Sequence, residues 1–167
     1  MSITVTEMFR DAEFYVDLRE QVIPLLNPHP FVKIWHAGCA MGEEVYPMAV
    51  LLKEAGFYDR VKIYATDYNK QSLAIAKEAI YPLKQVEAFE GSYHKASGAH
   101  TFSNYYHTRY ESVRFDTELR KNITFAHHNL ATDSVFGEMN LIICRNVFIY
   151  FIRILQNKVL QYFPIEK

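Results

Sequence analysis

The stretch Val32-Lys33-Ile34-Trp35-His36-Ala37-Gly38-Cys39-Ala40-Met41-Gly42 passes from a β-favouring run into a loop bounded by two glycines. The apolar run predicts a short strand, and the glycines predict a tight loop that a ligand can approach closely. A tight turn without a ligand fits the glycines equally well. Apolar residues at helical spacing follow from Val45 to Leu52. This order of strand, glycine loop and helix is typical of the start of an α/β sheet.

Three further strands are predicted, and polar or charged residues follow each of them. They are Val61–Thr66, which ends at Asp67; Ile123–His128, which ends at Asn129 and Leu130; and Leu141–Cys144, which ends at Arg145 and Asn146. Because helical stretches separate the strands, we predict an α/β fold with a mostly parallel sheet. Ligands of such sheets bind beyond the carboxyl ends of the strands. The four strand exits should therefore meet at one edge.

Apolar residues at helical spacing also predict the other helices. The first begins at Asp11, and Pro24 should distort its last turn. Its predicted inward face comprises Phe14, Leu18, Val22 and Leu25. A later helix begins at Asn69 as its N-cap. Its predicted inward face comprises Leu73, Ala76 and Ile80. Between 81 and 119 we expect short helices, with Gly91 as a turn, and an extended segment near 110–115.

Length and charge exclude several classes of protein. The chain has 167 residues, of which 50% are hydrophobic, and a net charge of −1, which suits one domain with its own core. Nucleic-acid binding requires surplus cations, so no nucleic-acid partner is predicted. Arg145, Asn146 and Arg153 interrupt the longest apolar stretch, so no membrane insertion is predicted. Cys39 and Cys144 lack CxxC spacing, and no signal peptide is evident, so we expect a cytoplasmic protein.

Acidic residues at the first two exits favour a cationic ligand. Glu43 and Glu44 place negative charge at the start of a helix, where the dipole stabilises it and a phosphate would be repelled. S-adenosylmethionine, with its sulfonium and ammonium groups, is a ligand of this kind. Asp67 follows Gly42 by 25 positions, close to the spacing of an acid that binds ribose hydroxyls. Its alternative role, a helix cap, is weaker because Asn69 is available.

The other two exits are less informative taken alone. Asn129 could bind an adenine edge with Leu130 against the base, although asparagine at a strand end is most often a turn residue. Arg145, beside a buried strand, needs either an internal acid or a ligand carboxylate as its partner. Tyr150 could direct its hydroxyl into the same cleft. A nicotinamide-dependent oxidoreductase is disfavoured because the third glycine of GxGxxG is absent.

Histidines and aromatic residues suggest two further sites, and both are disfavoured. Adjacent residues on a strand point to opposite faces, so His127 and His128 cannot both bind one ion with His107, and no metal site is predicted. The tyrosines and phenylalanines between 81 and 110 could stack on bases, as in single-strand binders. Because no basic run accompanies them, packing against the sheet is favoured.

Motifs that occur in order along the chain resemble those of the CheR-type chemoreceptor glutamate methyltransferases. They are Val5–Asp11 (VTEMFRD), Trp35–Glu44 (WHAGCAMGEE), Tyr64–Asp67 (YATD), His128–Leu130 (HNL) and Ile143–Phe151 (ICRNVFIYF). The resemblance implies a Rossmann-like class I methyltransferase that moves a methyl group from S-adenosylmethionine to a receptor glutamate, leaving S-adenosylhomocysteine. The implied partners are the cytoplasmic helices of chemoreceptors. The alternative is a catalytically inactive homologue that binds the cofactor or a receptor.

The resemblance also assigns site residues by motif position. The implied cofactor-binding residues are Thr6, Arg10, Ala37, Gly38, Glu43, Asp67, Asn129, Leu130, Arg145 and Asn146. Arg10 and Tyr150 would lie nearest the transferred methyl and are the implied catalytic residues. Met41 is bulky where the family has a small hydroxyl residue, so we expect a lower cofactor affinity.

The family pattern extends beyond both ends of this chain. We therefore expect residues 1–30 to form an N-terminal linker helix and residues 31–167 to form a partial methyltransferase domain whose C-terminal strands are missing. The expected sheet order is third-second-first-fourth. Leu141–Cys144 would then be an exposed hydrophobic edge, through which two copies of the chain could associate.

Overall fold

Seven strands and six α-helices lie within residues 12–97, 102–128 and 139–143, the part of the chain that this computed structural model describes. The strands are β1 (Val32–Ala37), β2 (Val61–Asp67), β3 (Ile80–Pro82), β4 (Tyr106–Arg109), β5 (Ser112–Phe115), β6 (Ile123–His127) and β7 (Leu141–Ile143). The helices are α1 (Ala12–Asp17), α2 (Ile23–Leu26), α3 (Val45–Glu54), α4 (Lys70–Glu78), α5 (Leu83–Ser97) and α6 (Thr117–Arg120). Short 3-10 turns span Tyr58–Arg60 and Ser103–Tyr105.

A parallel four-stranded sheet forms the centre of the fold. Its strand order is β6-β2-β1-β7, which confirms the predicted order of third, second, first and fourth parallel strand. β1 pairs with β2 along its whole length, from Val32 opposite Val61 to Ala37 opposite Thr66. β7 pairs with the other side of β1 and lies at the edge of the described sheet. The carboxyl ends of β1, β2 and β6 consequently lie side by side.

Helices α3 and α4 connect the strands as the apolar spacing predicts. All residues of α3 from Val45 to Leu52 are buried, so this helix is enclosed in the core rather than amphipathic at the surface. The side chain of Asn69 caps α4 by accepting hydrogen bonds from two backbone amides of its first turn. Ala79, in the left-handed conformation at φ 59°, ends α4 before Ile80. The prediction that Ile80 faces inward from this helix is therefore wrong, because Ile80 begins β3 and is 44% exposed.

The first helical segment contains a π turn that changes its buried face. Residues Leu18–Val22 form π-helical structure between α1 and α2, and the amide of Ile23 donates to the carbonyl of Leu18 five residues earlier. Pro24 follows directly and has no amide proton to donate to an i−4 carbonyl. The extra residue in the turn shifts the later side chains by about 100° around the axis. Ile23 and Leu26 are therefore buried, whereas Leu25, predicted to face inward, is 72% exposed.

The segment from 81 to 119 differs from its prediction. Instead of short helices it contains the 15-residue helix α5, followed by strands β4 and β5. Strands β3, β5 and β4 form a separate antiparallel sheet in that order. Gly91, predicted as a turn, lies within α5, whose buried face comprises Val86, Phe89 and Tyr93. The extended segment expected near 110–115 corresponds to β5. No helix in the described ranges is long and apolar enough to cross a membrane.

Candidate functional site

The loop after β1 is folded back onto the end of β2. The amides of Gly38 and Cys39 both donate to the carbonyl of Thr66, at 2.8 and 2.9 Å. Gly38, Ala40 and Gly42 have φ angles of 73°, 51° and 83°, so three residues of this loop adopt the left-handed conformation. Glycine reaches that region without steric cost, which explains the two loop glycines. The predicted tight turn is thus present, and the first two strand exits are in contact.

The Asp67 carboxylate accepts one hydrogen bond from this loop and another from the start of α4. Oδ2 accepts a hydrogen bond from the Ala40 amide at 2.9 Å, and Oδ1 accepts one from the Asn69 amide at 2.8 Å. The side chain is 9% exposed. An ionised carboxylate has about four lone-pair positions, so about two remain for further donors. Asp67 is therefore oriented by the fold while it keeps capacity to accept hydrogen bonds from a ligand.

The end of β6 contacts the backbone of the same residue. The amide of His128 donates to the carbonyl of Asp67 at 3.0 Å, and the buried His128 ring packs edge-on against Trp35, with ring centroids 5.3 Å apart. Trp35 Nε1 in turn donates to Thr66 Oγ1 at 2.8 Å. On the other side of β1, Ile143 pairs with His36. The exits of β1, β2 and β6 are thus joined by hydrogen bonds and ring contacts.

The two acidic residues before α3 lie at the start of a helix, as the sequence predicts. Glu43 is only 6% exposed, although its side chain is ionisable. The Glu44 carboxylate lies 3.5 Å from Nε2 of the buried His36, and the Glu44 carbonyl accepts a hydrogen bond from the Tyr15 hydroxyl at 3.1 Å. Helix α3 begins at Val45, directly after these acids. Both carboxylates therefore lie in the turn that leads into the buried helix.

Acidic side chains give the loop a negative electrostatic environment. Burial raises the pKa of the Cys39 thiol well above its usual range, and the charges of Asp67 and Glu44 raise it further. Burial likewise raises the pKa of the Tyr81 hydroxyl, to which the charge of Glu43 contributes. Carboxylates thus act on the loop from several sides. These carboxylates accept hydrogen bonds and carry negative charge, so they fit a ligand with cationic groups and hydroxyl donors, as S-adenosylmethionine has, and would repel a dinucleotide pyrophosphate.

The structure brings together the predicted site residues that it describes. Ala37 ends β1, Gly38 begins the loop and Glu43 directly follows it, and the Asp67 carboxylate accepts a hydrogen bond from the Ala40 amide of the loop. The other predicted site residues lie outside the described residues; they are Thr6, Arg10, Asn129, Leu130, Arg145, Asn146 and Tyr150. In the described part of the chain, no group of three His, Cys, Asp or Glu side chains could hold a metal ion.

Sequence reasoning missed two tyrosines that contact the loop. The Tyr81 hydroxyl donates to the Met41 carbonyl at 2.6 Å, and the Tyr15 hydroxyl donates to the Glu44 carbonyl. Both come from elements distant along the chain, β3 and α1. No local pattern marks a tyrosine whose hydroxyl reaches a loop 40 residues away. The hydroxyl of a buried tyrosine generally needs a hydrogen-bond partner, and this general rule is the one signal that could have indicated these contacts.

Comparison with known proteins identifies the family. The family described as CheR methyltransferase, SAM binding domain, matches residues 4–165, and the chain therefore belongs to it. A Pseudomonas putida protein with the provisional name methyltransferase Cher3 is 48% identical over 163 residues, covering 98% of this chain and 60% of that protein. Chemotaxis protein methyltransferase 2 of Pseudomonas aeruginosa is 32% identical over 165 residues, covering 96% of this chain and 58% of that protein. The chain thus spans about 60% of the length of these relatives.

A solved structure supports the fold. The glycopeptide N-methyltransferase MtfA, complexed with sinefungin, aligns with a TM-score of 0.51 at 8% identity, covering 95% of this chain and 44% of that one. At that identity the likeness shows the fold alone. Together with the family, it confirms the predicted Rossmann-like class I methyltransferase sheet. The cofactor of this domain family is S-adenosylmethionine.

Proposed function

We propose that this chain transfers the methyl group of S-adenosylmethionine to glutamate side chains on the cytoplasmic helices of chemotaxis receptors. The products are a γ-glutamyl methyl ester and S-adenosylhomocysteine. Support comes from the family and from relatives that are named chemotaxis protein methyltransferases. The observation that carries the proposal is the buried carboxylate of Asp67, which is hydrogen-bonded to the Ala40 amide of a glycine loop at the carboxyl edge of a parallel sheet, with the buried Glu43 directly after that loop.

Asp67 is proposed to bind the ribose of the cofactor. Its two oxygens are already oriented by the amides of Ala40 and Asn69, and each retains an acceptor position. Two vicinal hydroxyls can donate to one carboxylate, which is the pattern of acids at the second strand of nucleotide-binding sheets. The carboxylate is therefore already oriented in the fold before the ligand binds. Binding should therefore depend on Asp67 both as a ligand and as an anchor of the loop.

The remaining site residues are proposed from motif position. Glu43 would face the cationic part of the cofactor, and Arg145 would bind a carboxylate. Arg10 and Tyr150 would hold the glutamate carboxylate, or that of the cofactor, without taking a proton. The cofactor supplies a methyl group that is already activated. A glutamate with its ordinary pKa is ionised at neutral pH, so the protein mainly has to orient it, and orientation can supply about 7–11 kcal/mol.

Two measurements test this proposal. Isothermal titration calorimetry with S-adenosylhomocysteine should show binding at one site. Tritiated S-adenosylmethionine and a receptor cytoplasmic fragment should yield labelled protein that releases methanol in base, because carboxylate esters hydrolyse readily. A receptor fragment with glutamine at the methylated positions is the control and should remain unlabelled. Cofactor binding without label would support an inactive homologue that binds the cofactor, and absence of both binding and label would refute the proposed activity.

A further inference from the structure

We propose that Tyr81 is a positioning residue for the cofactor: its hydroxyl fixes the Met41–Gly42 peptide of the glycine loop and thereby sets the affinity for S-adenosylhomocysteine and S-adenosylmethionine. The inference rests on the proposed function, because it assumes that this loop binds the cofactor. Tyr81 belongs to β3 of the small antiparallel sheet, not to the sheet that carries the site. The inference therefore gives the small sheet a role in forming the cofactor site.

The Met41–Gly42 peptide is held at both of its polar ends. Its carbonyl accepts a hydrogen bond from the Tyr81 hydroxyl at 2.6 Å. Its N–H, which belongs to Gly42, donates to the Cys39 carbonyl at 2.9 Å. A planar peptide bonded at opposite edges cannot rotate without breaking one of these bonds. Of these two hydrogen bonds, the one to Cys39 lies within the loop, and the one from Tyr81 comes from outside it.

Close packing reinforces this hydrogen bond. A Cβ atom built on Gly42 would lie 2.9 Å from the Tyr81 hydroxyl oxygen and 3.0 Å from the Cβ of Ala76. The φ of Gly42 is 83°, so glycine is required here for conformation as well as for space. Tyr81 and α4 thus contact the loop backbone directly. The tyrosine side chain limits how far the loop can move in that direction.

Tyr81 is itself fixed by its surroundings. It is 4% exposed and pairs with Val113 of β5 in the small sheet. Its ring packs edge-on against Phe115 and Tyr46, with centroids 6.0 and 5.8 Å away. Because burial raises the pKa of the Tyr81 hydroxyl well above its usual range, the hydroxyl stays protonated and remains a donor at neutral pH. The loop is therefore held by a rigid donor.

A purely structural role makes a different prediction from a positioning role. If the Tyr81 hydroxyl only satisfies a buried carbonyl, its loss should lower stability and leave cofactor affinity unchanged. Tyr58 provides the matched control, because its buried hydroxyl donates to the Leu119 carbonyl at 2.5 Å, in α6. Tyr58→Phe removes the same kind of hydrogen bond without touching the loop. Both variants keep the aromatic ring and its packing.

The experiment compares the wild type, Tyr81→Phe and Tyr58→Phe by calorimetry with S-adenosylhomocysteine and by thermal melting without ligand. Both variants should melt at lower temperature by similar amounts, and only Tyr81→Phe should bind more weakly, by roughly 3- to 10-fold. Equal affinity of Tyr81→Phe and wild type would overturn the inference, as would equal weakening by Tyr58→Phe. Failure of the wild type to bind refutes the proposed function, and with it the inference, so the two failures are distinguishable.

Amide hydrogen exchange of the full chain without cofactor provides a second measurement. Tyr81→Phe should accelerate exchange in residues 38–44, where the Met41 carbonyl loses its hydrogen bond, and Tyr58→Phe should not. Unchanged exchange in this loop would overturn the inference even if affinity had fallen. Where the assay of methyl transfer succeeds, Tyr81→Phe should raise the KM for S-adenosylmethionine and leave the KM for the receptor fragment unchanged. A rise in both would also contradict it.

Discussion

Replacement of Asp67 should lower both the stability of the protein and its affinity for the cofactor. The carboxylate accepts hydrogen bonds from the amides of Ala40 at 2.9 Å and Asn69 at 2.8 Å, and it is 9% exposed. Asp67→Ala removes both acceptors and leaves two amides without these partners. Asp67→Asn keeps one acceptor but turns an NH₂ group towards the other amide. The two substitutions should therefore form a graded series.

The size of the effect follows from the number of bonds lost. A hydrogen bond to a charged group contributes about 1.5–3 kcal/mol, so Asp67→Ala should cost at least about 3 kcal/mol and Asp67→Asn about half of that. For a chain of this size each kcal/mol shifts Tm by about 2–4 °C, which gives a decrease of about 6–12 °C for Asp67→Ala. Loss of one charged hydrogen bond to the ribose should weaken cofactor binding by about tenfold or more.

Asn69→Ala is the matched control for this series. Its side chain accepts from the amides of Gln71 and Ser72 and caps α4, while its backbone amide, which donates to Asp67, is retained by alanine. Loss of the cap should cost about 1 kcal/mol. Thermal melting and calorimetry with S-adenosylhomocysteine should separate the variants, because Asn69→Ala lowers Tm and leaves affinity unchanged.

Two results would refute the reasoning about Asp67. If Asp67→Ala melts no lower than Asn69→Ala, the carboxylate does not stabilise the loop and the start of α4 as its two hydrogen bonds indicate. If Asp67→Ala binds S-adenosylhomocysteine as tightly as the wild type, the residue is structural only. In that case the assignment to the ribose is wrong even though the geometry of the loop is correct.

Three further perturbations test other parts of the structure. Arg10→Ala should lower turnover more than Asp67→Ala does, whereas Asp67→Ala should weaken cofactor binding more than Arg10→Ala does. A methyl-transfer assay measures turnover and calorimetry measures binding, and the opposite order in either measurement would contradict the assignment. Gly42→Ala should lower Tm markedly, because Gly42 has a φ of 83° and an added Cβ would lie 2.9 Å from a tyrosine hydroxyl. Gly91→Ala is the control: an added Cβ there would have nothing within 4 Å, so this variant should raise stability by up to about 1 kcal/mol. Equal melting curves of the two variants would contradict this reasoning. Burial raises the pKa of Glu90, so the native state binds the proton of this carboxyl more tightly than the unfolded state does. The stability of the wild type relative to Glu90→Gln should therefore fall as pH rises through the ordinary glutamate range and just above it. A stability difference between the two proteins that does not change with pH in urea titrations would contradict this.

The parallel sheet could be predicted because each of its strands has a local signal. A β-favouring run, a polar exit and a helical stretch recur along the chain, and such a pattern allows few topologies. The prediction that the strand exits meet at one edge follows from a similar rule, since the carboxyl ends of neighbouring parallel strands share an edge. The sequence thus predicts that Gly38 and Asp67 lie at the same edge, but it does not predict their hydrogen-bond partners.

The rest depends on contacts that local patterns do not show. Leu25 was predicted to face the core at regular helical spacing, but the π turn before Pro24 shifts the spacing by one residue. Helix α5 was missed because Gly91 suggested a turn, yet an exposed glycine within a long amphipathic helix costs only about 1 kcal/mol. The small sheet pairs strands that are about thirty residues apart at β3 and β5, and no short-range signal predicts that pairing.

The glycine loop is held from two directions by residues with different chemistry. Asp67 binds the Ala40 amide from the end of β2, and Tyr81 binds the Met41 carbonyl from β3, so two consecutive loop residues are fixed by different sheets. A loop fixed in this way loses little conformational entropy when a ligand binds, which favours affinity. The same contacts also stabilise the empty fold. Stability and affinity should therefore fall together for both residues, and only controls such as Asn69→Ala and Tyr58→Phe, which lower stability alone, can assign a role in binding.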